Sequence, residues 1–278
     1  MGATPSLDTV RSVTTSSAPR PGNYAEQART YDLTRGASPT LVRLLAKYLG
    51  EAPGRKLLDV AGGTGNYTQA MQARGFDVAI MDVELEMVRR SVPKLGPGRQ
   101  VVGDALVLPF RDRTFDSVMM TQAMHLVLDH RRAFGEVRRV MRDGPFVLQT
   151  YAEENLRHAF VFEYFPGAES TDEMHPPADR IEEWLREDGF ARVERETYVY
   201  LDTADGNLQA LHTDAYRLAG PAYLRNTSFF QRLPEEIRRE GLRKLAEDLR
   251  SGVLEERVKV AFQEAIRTGH GTVFSAWP

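Results

Sequence analysis

The stretch Lys56-Leu-Leu-Asp-Val-Ala-Gly-Gly-Thr-Gly-Asn-Tyr-Thr68 decides the fold. Its first five residues are a short apolar run with the length of a buried strand. A glycine cluster follows at 62–65, and residues 66–74 have helical patterning. Gly62, Gly63 and Gly65 allow a tight turn and a close approach of backbone to a ligand, because no Cβ stands in the way. The helix that follows presents free N–H groups and the positive end of its dipole. Asp82 lies seventeen residues beyond Gly65, at the end of the next apolar run, Val78–Met81. A carboxylate there can accept both hydroxyls of a ribose.

Working outward, the pattern repeats. Residues 40–49 have apolar positions at helical spacing and end at Gly50, a C-cap residue. Helical stretches at 84–91, 131–142 and 178–188 alternate with strand-like runs at 99–102, 115–120, 146–150, 191–201 and 271–277. Alternating strands and helices predict an α/β fold: a Rossmann-like, doubly wound, mostly parallel sheet of seven strands. Residues 203–269 break the alternation with three or four Arg/Glu/Leu-rich helices. Lying before the last strand, they are expected to form a helical lid that binds substrate. The sheet domain then comprises residues 23–202 and 270–278, and the Ser/Thr/Pro-rich residues 1–22 are expected to be a disordered tail.

Composition narrows the function. The 278 residues are 42% hydrophobic and 27% charged, as in a globular protein. With 36 Lys+Arg against 39 Asp+Glu, the net charge of −3 argues against a nucleic-acid partner. No apolar run reaches the roughly 18 residues of a membrane span. Cysteine is absent, which excludes thiolate catalysis and disulfides and suits a cytoplasmic location. The histidines are scattered without ligand spacing, so no metal is expected.

Two nucleoside cofactors use a glycine turn with an acid on the next strand. A nicotinamide site favours Gly or Ala at the third position of Gly-x-Gly-x-x-Gly, where Thr68 stands here. The run instead resembles the class I S-adenosylmethionine-dependent methyltransferases, with a UbiE-like core. Asp59, Gly63 and Gly65 match their Asp-x-Gly-x-Gly-x-Gly loop, and Ala61 replaces the first glycine. Val102-Gly-Asp-Ala-Leu-Val-Leu-Pro-Phe110 resembles the family segment whose acid faces the adenine amino group. Phe115-Asp-Ser-Val118, Gln122–Asp129 and Arg138–Gly144 resemble the fourth strand, its loop and the helix before strand five.

The resemblance implies S-adenosyl-L-methionine as cofactor. It implies a glycine turn of Asp59, Ala61, Gly62, Gly63 and Gly65, and a ribose-side group of Asp82, Val83 and Met87. Asp104, Ala105 and Gln122 complete the site. Tyr24, Tyr31 and Arg35 precede the first core helix in a segment that often folds over the cofactor in this family. The implied activity is methyl transfer to a small molecule, plausibly in bacterial specialised metabolism. An NAD(P)-dependent oxidoreductase and a non-catalytic cofactor-binding module are the alternatives. His125, just past strand four, is the first candidate base, with rate rising through a group near pH 6–7. His212 and Tyr216, at i and i+4 in the lid, are the next candidates. An aromatic group of Tyr223, Phe229 and Phe230 near Arg217 and Arg225 would suit a planar or acidic acceptor. The charged lid helices permit a homodimer.

Overall fold

The computed structural model describes residues 24–51, 54–127, 129–157, 159–166 and 174–278. The expected tail, 1–22, lies outside the described residues. Chain order begins with a helical turn, α1 (Tyr24–Gln27), and then α2 (Pro39–Leu49). Ser38 caps α2 by accepting a hydrogen bond from the Leu41 N–H, and Pro39 occupies the first turn, where no N–H partner is lost. Leu41, Val42, Leu45 and Leu49 form its buried stripe.

The core then alternates as the sequence pattern predicts. β1 (Lys56–Val60), α3 (Asn66–Gln72), β2 (Asp77–Asp82), α4 (Leu85–Leu95), β3 (Gln100–Val102), β4 (Ser117–Thr121), α5 (His130–Val140) and β5 (Phe146–Thr150) follow one another. Next come a turn of helix, α6 (Glu153–Leu156), then α7 (Ala178–Glu187) and β6 (Arg192–Tyr198). Beyond β6 lie α8 (Pro221–Asn226), α9 (Ser228–Arg232), α10 (Glu235–Ser251), α11 (Val253–Thr268) and β7 (Gly271–Trp277).

The seven strands lie in the order β3-β2-β1-β4-β5-β7-β6. The first five pair in parallel, and β7 runs antiparallel to both β5 and β6. Strand order therefore reverses direction between β1 and β4. A crevice opens at their carboxyl ends, the place where open α/β sheets bind ligands. Two apolar layers flank the sheet. Leu58, Val118, Phe134 and Phe146 belong to one, and Leu41, Leu57, Met71 and Val147 to the other.

α4 and β6 end away from where the sequence pattern placed their ends. α4 runs on to Leu95 with Pro93 in its last turn, which forgoes one backbone hydrogen bond there. β6 stops at Tyr198 rather than continuing to Leu201. There the Tyr200 N–H donates to Nδ1 of buried His270, at 3.1 Å, and leaves the ladder. The 203–269 insertion contains four α-helices and two 3-10 stretches, Leu208–Thr213 and Ala215–Ala219.

The insertion has its own apolar core, which joins Leu211, Tyr223, Phe230, Leu245 and Leu254 to Phe160, Val161, Tyr164 and Phe165. The latter four precede α7, so two separate chain segments build this layer. Gly241 lets α10 press on that seam, since a Cβ there would stand 2.3 Å from the Phe165 ring. No helix among the described residues is long and apolar enough to cross a membrane.

Candidate active site: two cavities with a common wall

The glycine turn sits at the β1 end of the crevice. Ala61 and Gly63 take left-handed backbone conformations, with φ of 57° and 58°. Glycine adopts that region freely, whereas Ala61 does so at a cost of about 1–2 kcal/mol. A Cβ built on Gly63 would meet nothing within 4 Å, so the turn leaves its open side to the crevice. The Gly63 and Glu84 N–H groups each donate to the Asp82 carboxylate, at 2.9 Å. Burial pushes the Asp82 pKa up, and these two backbone donors oppose the shift. The carboxylate is thus held in a fixed orientation facing the crevice, and each oxygen retains capacity for another donor.

Of the residues expected at the cofactor, all but Asp59 and Gly65 line this first cavity. Tyr24, Tyr31, Arg35, Ala61, Gly62 and Gly63 form one side. Asp82, Val83, Met87, Asp104, Ala105 and Gln122 form the other. Asp59 stands behind the turn, where its Oδ2 accepts a 2.5 Å bond from the Thr68 hydroxyl. Burial raises its pKa to about 7. Gly65 caps α3 with φ 82°, and a Cβ there would approach Ser91 to 3.1 Å. Both therefore support the turn from outside the cavity. The open turn and the oriented carboxylate fit a nucleoside with vicinal hydroxyls.

A second cavity, of about 300 Å³, lies beneath the insertion. That volume is at the lower end of small-ligand sites. His125, Phe162, His175, Phe229 and Arg232 are among its lining residues. Tyr24, Tyr31, Arg35, Gln122 and Leu126 line both cavities and form their common wall.

That wall is locked by a buried polar cluster. Arg35 Nε lies 3.0 Å from Asp205 Oδ1, and a terminal nitrogen of Arg35 donates to Gln122 Oε1 at 2.7 Å. The Gln122 amide and the Tyr67 hydroxyl both donate to Asp205 Oδ2, the latter at 2.8 Å. Burial opposes the Arg35 charge, but Asp205 together with Tyr31, Tyr151 and Tyr223 outweighs it and holds the pKa well above the ordinary arginine value. Gln122 takes φ 53°, a strained region for a residue with a side chain. Two bonds to Gln149 fix it there, through the backbone carbonyl at 3.1 Å and the side-chain oxygen at 3.0 Å.

His125 is in the second cavity, stacked on His175 with ring centroids 5.2 Å apart. Its Nδ1 is buried without a hydrogen-bond partner among the described residues. Burial drives its pKa well below the usual histidine value, reinforced by His175, Arg232 and Arg35. His175 falls to about 4, mainly through burial. His125 is therefore neutral at physiological pH, and the expected titration near pH 6–7 moves to more acidic values.

The other two catalytic candidates lie elsewhere. Both ring nitrogens of His212 face carbonyl oxygens, of Gln209 at 2.8 Å and Tyr200 at 2.9 Å. Its ring packs on Phe262 and His270, beside a small separate cavity. Tyr216 is 65% exposed. Their i, i+4 spacing does not unite them, because Asp214 separates the two 3-10 stretches that carry them. Of the lid arginines singled out above, Arg217 pairs with Asp214 at 3.1 Å, and neither it nor Arg225 lines the second cavity. Arg232 takes that place. Gln27, His175, Asp205 and Arg232 were not found from sequence, because only the fold brings them to the crevice. Among the described residues, no group of three or more His, Asp or Glu is arranged to hold a metal ion.

The sheet and the crevice define a class I methyltransferase fold. Residues 58–148 match the family model of the methyltransferase domain. That match and the sheet order place the fold with the class I, S-adenosylmethionine-dependent methyltransferases, which this chain resembles over its core. It is 32% identical to a demethylmenaquinone methyltransferase of Renibacterium salmoninarum, over 44% of this chain and 53% of that one. It is 29% identical to that of Beutenbergia cavernae, over 60% of this chain and 75% of the relative. The chain therefore spans about half the length of the first of these relatives. A protein from Anabaena variabilis, described as a methyltransferase from an antibiotic biosynthesis pathway, has a similar fold. Its TM-score is 0.76 at 24% identity, covering 88% of this chain and 99% of that one. Phosphoethanolamine N-methyltransferase 2 of Haemonchus contortus, in complex with S-adenosyl-L-methionine, superposes with a TM-score of 0.57 at 16% identity. That match covers 91% of this chain and 57% of the other.

Proposed function

We propose that the protein is an enzyme that transfers a methyl group from S-adenosylmethionine to a small molecule held in the second cavity. The observation that carries this reading is the common wall: Tyr31, Arg35 and Gln122 border both cavities, so cofactor and acceptor would lie side by side. S-adenosylmethionine, when bound, supplies a methyl already activated on a sulfonium. The chain's work is then orientation, which is worth on the order of 7–11 kcal/mol for well-aligned reactants. In this reading Asp82 accepts the ribose hydroxyls, Asp104 faces the adenine, and the turn at 61–63 approaches the nucleoside. The locked cluster of Arg35, Gln122 and Asp205 keeps that wall in shape. His125 Nδ1 is free to take a proton from an acceptor hydroxyl, and its neutrality at physiological pH supports that role.

The relatives named for demethylmenaquinone act, by that name, on a flat ring. The aromatic lining of the second cavity, with Phe162, Phe229 and His175, suits a flat acceptor here too. Thr68 weighs against a nicotinamide site, since it is buried and bonded to Asp59 where a packing glycine would stand. Location in the cytoplasm, work in bacterial specialised metabolism and a homodimer belong to the same proposal. The cysteine-free sequence, the small second cavity and the charge-rich helices α10 and α11 support them in turn.

Incubation with methyl-labelled S-adenosylmethionine and a bacterial small-molecule extract tests the reading. The expected result is a labelled small product formed in step with S-adenosylhomocysteine. Cofactor binding with no labelled product would instead favour a non-catalytic binding module.

A further inference from the structure

The two cavities differ in charge. Asp82, Glu84, Asp104 and Asp205 line the first, with Arg35 as its cation. No carboxylate lines the second among the described residues. Its cations are Arg35, already neutralised by Asp205, and Arg232. Arg232 stands at the mouth, open to solvent on one side, and its only hydrogen bond among the described residues goes to the Met174 sulfur at 3.2 Å. Burial of the guanidinium pulls its pKa below the ordinary value, and its charge bears on His125, His175 and Tyr24 around the cavity.

Gln27 adds a second, independent observation. The residue is 2% exposed, and it lines the second cavity. Neither its amide nitrogen nor its amide oxygen has a partner among the described residues. An unpaired buried amide is costly, and native interiors rarely leave one. Its donor and acceptor, with Nδ1 of His125, form an unmet demand for hydrogen bonds inside an aromatic enclosure.

Resting on the transfer reading above, we propose that the acceptor is a planar molecule bearing an oxyanion, and that Arg232 and Gln27 are its specificity-determining residues. A guanidinium with no carboxylate partner among the described residues offers a planar fork to an oxyanion. The Gln27 amide offers a further donor to that group and an acceptor to a neighbouring hydroxyl. The ring lies among Phe162, Phe229 and His175. An acid-lined cleft for a cationic cofactor and a cavity with no carboxylate among its described lining residues put the two charges where each is stabilised.

Binding to the protein loaded with S-adenosylhomocysteine tests this, read by calorimetry with four probes. 3-Hydroxy-2-naphthoate carries a carboxylate, and 2-hydroxy-1,4-naphthoquinone carries an ionised enol at neutral pH. 3-Hydroxy-2-naphthamide is the neutral isostere of the first, and naphthalene lacks polar groups. The expected result is at least tenfold tighter binding of one or both anions than of the naphthamide. Which anion binds tighter identifies the source of the oxyanion. Arg232→Gln should abolish that preference. Gln27→Leu should weaken anion and naphthamide alike by about tenfold, and S-adenosylhomocysteine affinity should stay unchanged in both variants. Equal affinity for anions and naphthamide, a preference that survives Arg232→Gln, or no probe binding at all would overturn the proposal. Failure of wild-type protein to bind S-adenosylhomocysteine would instead strike the transfer reading itself.

Discussion

The two cavities share a wall but are built in opposite ways. The nucleoside side of the first is local: the turn at 61–63, Asp82 and Asp104 all follow directly from strand ends, within about 45 residues of chain. The second is assembled from distant pieces, α1, the loop after β4, residues preceding α7 and the insertion through α9. The first is rich in acids and the second has none among the described residues. The difference teaches how such a protein divides its tasks. A site built on a rigid sheet edge keeps one cofactor geometry, and a site built from loops and an insertion can change its acceptor without disturbing that edge.

The seam between the two should be the most sensitive point. Asp205→Ala strips the partner from buried Arg35 and leaves its charge uncompensated. Breaking a buried pair in this way typically costs about 3–5 kcal/mol. Chemical denaturation should show a loss near the lower end, since Arg35 keeps its bonds to Gln122 and to the Gly206 carbonyl. A loss below about 1 kcal/mol would mean that the wall does not depend on the pair.

Acceptor chemistry should be separable from cofactor binding. His125→Asn should lower turnover by about a hundredfold with cofactor affinity nearly unchanged, the usual scale for losing a general base. The sign of the pH effect follows from the lowered pKa of His125. Wild-type rate should be flat around neutral pH and fall only well below the ordinary histidine value, where the ring becomes charged. A limb centred near 6.5, or a variant with near-normal turnover, would remove His125 as the base.

On the cofactor side, Asp82→Ala should leave the fold intact and weaken S-adenosylhomocysteine. Hydrogen bonds to a charged group are worth about 1.5–3 kcal/mol, so the loss should be roughly tenfold to over a hundredfold. Ala61→Gly should have the smallest effect. Relief of the left-handed conformation should raise stability by up to about 1 kcal/mol, offset in part by the greater freedom of glycine when unfolded. Marked destabilisation by Ala61→Gly would show that the Ala61 methyl packs usefully.

What the sequence revealed follows the same division. Strand and helix periodicity, the glycine turn and Asp82 were legible because each is a local pattern. The position of His125 was legible for the same reason, but its low pKa was not, since it arises from burial in the fold and then from His175 and Arg232, far along the chain. Gln27 and Asp205 looked like ordinary polar residues, and only burial in the fold gives them meaning. His212 and Tyr216 misled because i, i+4 spacing presumes a continuous helix, and two 3-10 stretches stand there instead. Arg217 and Arg225 misled for a similar reason: on irregular, short lid elements, neighbours in sequence do not share a face.

The most direct test of the central claim is calorimetric titration of the wild-type protein with S-adenosylmethionine and, separately, with NADH. The account predicts saturable one-to-one binding of S-adenosylmethionine, weakened by Asp82→Ala, and no heat of binding from NADH. Binding of NADH with none of S-adenosylmethionine would contradict it.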